Sequence, residues 1–107
     1  MRHITLPALS LILMTGAAAA QSVDTSNLYS VDDADLMGPN GNKIGEVEEI
    51  LVDVTGIPVA AVVEAGGFLD IGDKDIIVSL EDMTFDSGNF STLLTEEELK
   101  ELPEWDD

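Results

Sequence analysis

Val59-Ala60-Ala61-Val62-Val63 is the stretch that most narrows what this chain can become. A strand with one solvated face alternates apolar and polar residues. An unbroken apolar run belongs to a strand covered on both faces or closed within a barrel. Ile76-Ile77-Val78 is a second strand of the same character. The two are joined by Gly66-Gly67-Phe68-Leu69-Asp70-Ile71-Gly72-Asp73-Lys74-Asp75, whose glycines supply backbone freedom. Phe68, Leu69 and Ile71 make this connector too apolar for an ordinary solvated loop, so it is expected to fold back onto the body of the protein.

The remaining chain supplies the partners for these strands. A short strand is expected around Ala34 to Met37, followed by a turn at Gly38-Pro39-Asn40-Gly41-Asn42, where Asn-Gly suits positive φ. Lys43 to Asp53 is the longest strand candidate. Its apolar residues at Ile44, Val47, Ile50, Leu51 and Val52 do not alternate; a spacing of three could indicate helix, but Gly45 and the β-branched residues favour a strand with a bulge or bend near Glu48 and Glu49. Asp53-Val54-Thr55-Gly56 reverses the chain. Ser79 to Met83 reads as a single helical turn, and Ser87-Gly88-Asn89 joins a hairpin. Thr95-Glu96-Glu97-Glu98 is a capping box, because a Thr N-cap and a Glu three residues on satisfy each other's free backbone amides. It opens a helix through Leu102, in which Glu96 and Lys100 have the spacing of an ion pair. Trp105 is expected to pin the tail.

The first residues carry a different signal. Met1-Arg2-His3 is a basic n-region, Ile4 to Met14 is apolar, and Ala18-Ala19-Ala20 offers small residues for cleavage. This pattern predicts a secretory signal peptide over residues 1–20. A membrane anchor needs an apolar span of roughly 20 residues, and Pro7, Thr15 and Gly16 interrupt this one. The expected organisation is a signal peptide, a flexible lead-in over residues 21–33 and one domain over residues 34–107. The expected location is periplasmic or secreted, with no membrane span after cleavage.

Charge and composition then exclude several functions. The 107-residue chain has a formal net charge of -18, and removing residues 1–20 takes away Arg2 but none of the 22 acidic residues. Such a surface repels nucleic acid phosphates and anionic lipid headgroups, which are bound through Lys and Arg. The chain has no cysteine, and His3, its one histidine, leaves with the signal peptide. Ser-His-Asp and Cys-His catalysis and His/Cys metal sites therefore lack parts. A small cysteine-free exported domain must also hold its fold by packing alone, which favours a closed sheet without exposed edges.

Several residues now carry a resemblance together. Gly41 with Lys43-Ile44-Gly45-Glu46-Val47-Glu48, the Val59 to Val63 strand, the Gly66 to Ile76 segment and Thr95 to Pro103 follow in an order similar to a PRC-barrel domain. This is the small β-barrel of the photosynthetic reaction centre H subunit and of a ribosome maturation factor. The resemblance covers roughly residues 34–105. It implies a mainly β fold, a small PRC-type barrel with a short C-terminal helix, and a non-catalytic interaction module that docks onto a protein partner or a second copy of itself. Those relatives work on the cytoplasmic side or on ribosomes, so their partners do not transfer to a chain with an export signal.

Two candidate sites follow, both on the glycine-bearing loop. Asp70, Asp73 and Asp75 offer oxygen ligands of the kind calcium takes, which makes a calcium-responsive acidic envelope protein the alternative function. Asp32, Asp33 and Asp35 form a second acidic group, but neither group has EF-hand spacing: counting from Asp33, the fifth position is Met37 and the twelfth is Ile44. Phe68, Leu69 and Ile71 either plug one end of the barrel or anchor a partner. Calcium titrated into the mature chain in a calorimeter decides the metal reading: a specific site gives saturable heat, and heats equal to dilution at millimolar ion remove it.

Overall fold

A computed structural model describes residues 18–66 and 74–106. The chain is mainly β. Its strands are β1 (Asp35–Met37), β2 (Lys43–Val52), β3 (Pro58–Glu64), β4 (Asp75–Ser79), β5 (Thr84–Asp86) and β6 (Asn89–Ser91), and its helix is α1 (Glu96–Lys100). They form one six-stranded sheet in the order β4-β3-β2-β1-β6-β5. The pairings are antiparallel except β1 with β6, which run parallel with Leu36 opposite Phe90.

The β3 run behaves as its composition requires. Ala60, Ala61, Val62 and Val63 are all buried. Ala61 and Val63 join the main core with Leu36, Val47, Ile76, Val78, Phe90 and Leu99. Ala60 and Val62 must point to the opposite face, because successive strand side chains alternate. Both faces of β3 are therefore covered. Strand β2 reaches the core differently. Its register against β3 shifts between Val47 and Glu49, as the broken alternation predicts. Val47 faces inward before this bulge and Ile50 packs on the core after it, so the inward positions change from odd to even.

Turns follow their residue chemistry. Gly41 takes φ 80° in the β1–β2 turn, and Ser87 and Gly88 take φ 52° and 99° between β5 and β6. Leu80–Asp82 is a 3-10 turn between β4 and β5. Buried Thr92 ties this corner down: its hydroxyl donates to the Asp82 carbonyl at 2.7 Å and accepts from the Leu94 amide at 3.1 Å. The capping box at Thr95 is present, with Glu98 as its partner. The helix is shorter than expected and ends at Lys100, and Glu96 with Lys100 is not among the ion pairs of the described residues. An exposed pair of this kind holds little energy against the entropy of two long side chains.

The closed barrel expected from the sequence is not formed by strand pairing. The sheet ends at β4 and β5 without a ladder between them among the described residues. A physical reason lies on the free side of β4, which the C-terminal segment occupies. The Ile77 amide donates to the Pro103 carbonyl and the Trp105 amide to the Asp75 carbonyl, each at 2.9 Å. Lys74 pairs with Glu104 at 3.1 Å beside them. The tail thus covers an edge that closure would otherwise have removed. Trp105 ties the tail to β4 through its backbone amide, and its indole Nε1 is buried without a hydrogen-bond partner among the described residues.

Gly45 supplies the sharpest packing constraint. A Cβ at this position would lie 2.6 Å from the Glu64 carbonyl oxygen and 2.8 Å from Val63 Cγ1, so a side chain cannot enter without moving β3. Gly45→Ala is expected to destabilise the fold by about 1–3 kcal/mol, the usual cost of overpacking. A urea melt reads this as an earlier midpoint with unchanged slope.

Candidate functional site

The β2–β3 hairpin projects an apolar tip. Residues 52–59 are exposed without interruption. Val52 is 56% exposed, Val54 fully exposed, Ile57 58% and Val59 43%. In a solvated turn these positions are normally polar. The tip is also firmly built. The Asp53 carboxylate accepts from the Thr55 hydroxyl at 2.6 Å, the Thr55 amide at 2.8 Å and the Ile57 amide at 3.1 Å. Backbone bonds from Asp53 to Ile57 and from Gly56 to Asp53, both 2.9 Å, close the turn, and Gly56 takes φ 88°. Hydrogen bonds from the Thr55 hydroxyl, and then from the Ile57 and Thr55 amides, hold the Asp53 carboxyl below the ordinary aspartate range. The turn therefore holds Asp53 as an ionised carboxylate. Around it stands a fixed apolar knuckle that carries this single negative charge.

A second feature is concave. The β1–β2 turn and the N-terminus of α1 enclose a cleft of about 360 Å³ with Ile44, Leu94 and Leu99 in its lining. Two of its polar side chains are engaged with neighbours. Lys43 pairs with Glu46 at 2.7 Å and Asp35 at 3.3 Å. The Thr95 hydroxyl accepts from the Glu98 amide in the capping box. Aromatic side chains form a third feature, with Phe85 edge-on to both Tyr29 at 5.7 Å and Phe90 at 5.1 Å. This stack joins the lead-in to the β5–β6 hairpin.

Of the sites expected from the sequence, Asp70, Asp73, Phe68, Leu69 and Ile71 lie outside the described residues. Asp75 is described. It opens β4 opposite Glu64, half-buried, and its carbonyl receives the tail. The base of the glycine-bearing loop is closed by the Ala65 amide donating to the Lys74 carbonyl at 3.0 Å. Among the described residues, no group of three or more His, Cys, Asp or Glu side chains is arranged to hold a metal ion. Carboxylates do crowd at the bulge. Partial desolvation, and then repulsion from Glu64, Asp75 and Asp33, raise the Glu48 carboxyl above the ordinary glutamate range.

A family model for the PRC-barrel domain matches residues 24–97. The chain belongs to the PRC-barrel domain family. No curated protein matches it. In this PRC-barrel domain the match takes in all six strands, the apolar tip and the start of α1. Among the described residues, no helix is long and apolar enough to cross a membrane.

Sequence reasoning treated Asp53 to Gly56 as a plain reversal and missed the tip. The available signal was Val54 and Ile57 standing at turn positions that polar residues usually fill. At the bulge, the direction of the Glu48 shift sets a pH dependence. A carboxyl that holds its proton more tightly when folded costs stability as pH rises from the ordinary glutamate value through the raised one. Glu48→Gln is therefore expected to stabilise the domain at neutral pH by a few tenths of a kcal/mol, since exposed charges are screened. Paired melts across pH check this, and the difference should vanish below the ordinary value of 4.5.

Proposed function

We propose that this PRC-barrel domain is a non-catalytic protein-interaction module of the bacterial periplasm or cell envelope. The observation that carries the reading is the apolar tip of the β2–β3 hairpin, held in one shape by the Asp53 hydrogen bonds. Contiguous exposed apolar residues on a fixed scaffold are costly to leave in water, and preorganisation lowers the entropy lost on binding. The sequence adds support: without Cys, and with His3 inside the expected signal peptide, the exported chain has none of the usual nucleophile and base pairs. The same reading takes the sheet as the family's barrel, completed across the β4–β5 gap by the Leu80–Asp82 corner rather than by a ladder.

Val54→Ser with Ile57→Ser separates this role from a structural one. Both side chains are exposed, so the thermal midpoint should hold to within about 0.5 kcal/mol of stability. Proteins retained from the native envelope by the immobilised chain should be lost with the double variant. An unchanged retained set overturns the assignment to the tip.

A further inference from the structure

The surroundings of the tip specify what it would receive. Within residues 52–59 the one ionisable side chain is Asp53, already occupied by three hydrogen bonds. Behind the tip the surface becomes more acidic. Ser79 pairs with Ala60, so the 3-10 turn that follows lies beside the start of β3, with Glu81 and Asp82 exposed on it. Glu49 is exposed on β2, opposite Val62. None of these three carboxylates has an ion-pair partner among the described residues. The tip is an apolar projection on an acidic base.

We propose that its occupant is a different protein whose apolar pocket is rimmed by lysine or arginine side chains; this rests on the tip being an interaction surface. Charge complementarity chooses among the occupants. A second copy would bring one chain of formal charge -18 against another, with Glu81 and Asp82 present on both sides. An anionic bilayer meets the same repulsion. A cationic rim gains from Glu49, Glu81 and Asp82 while its pocket covers Val54 and Ile57. Such a pair associates quickly at low salt and more slowly as ions screen it.

The test uses the full chain with a photo-reactive phenylalanine analogue replacing Val54, irradiated in its native envelope. Mass spectrometry of the adduct identifies the protein reached, which is then purified and titrated with the unmodified chain, with Ile57→Ser and with Glu81→Gln/Asp82→Asn. Affinity should fall about ten-fold or more for Ile57→Ser, as for loss of a central apolar anchor. It should fall several-fold for the charge variant at low salt, with that difference gone at roughly 0.5 M salt. A partner lost with Ile57→Ser but indifferent to salt and to the charge variant overturns the cationic rim and leaves the interaction role standing. Adducts only between two copies, or flotation with phosphatidylethanolamine and phosphatidylglycerol vesicles that Val54→Ser abolishes, overturn the proposed occupant. Absence of any protein adduct overturns the interaction role with it.

Discussion

Strand β3 is the constraint on which the rest depends. It pairs with β2 on one side and β4 on the other, and four consecutive residues, Ala60 to Val63, are buried. Close approach of β2 requires Gly45, since any Cβ there would meet the β3 backbone. Once that contact is fixed, the bulge at Glu48 decides which later residues of β2 face the core. Ile50 is brought inward, and β1 and β6 extend the same buried surface through Leu36 and Phe90. A domain without disulfides depends on such contacts, because no covalent link limits its unfolded chain.

The tail and the tip answer the same physical problem in opposite ways. The free side of β4 is a row of unpaired backbone groups, and the Pro103 to Trp105 segment satisfies two of them. Nothing comparable covers the β2–β3 tip among the described residues. Its turn hydrogen bonds are complete, yet Val54 and Ile57 remain in solvent. A protein with so many carboxylates has ample means of making a turn polar. The contrast between an apolar tip and an acidic surround is what gives the hairpin its functional reading.

Much of the fold was legible in the chain. Asn40-Gly41 marked a turn with positive φ, Ser87-Gly88 a hairpin, and Thr95 with Glu98 a capping box, because each rests on chemistry local to a few residues. The bulge was also legible, since the apolar residues of β2 lose their alternation at Glu48. The candidate site was much less so. Loop aspartates and the apolar Phe68, Leu69 and Ile71 drew attention by composition, whereas Val54 and Ile57 resembled strand residues in a chain already rich in them. Exposure is a property of the assembled surface, and sequence reports only the residue type.

By itself, then, the sequence determined the β character, the strand boundaries to within a residue or two, the resemblance to the PRC-barrel family and the acidic surface. These follow from short-range sterics, hydrogen-bonding preference and charge counts. Only the tertiary structure decided that β4 and β5 share no ladder among the described residues, that the C-terminal segment occupies the β4 edge, and that the hairpin tip stands in solvent. Each depends on which distant segments meet. No local pattern in strand β5 or in the tail records which of them lies beside β4, because that depends on the packing of segments far apart in the chain.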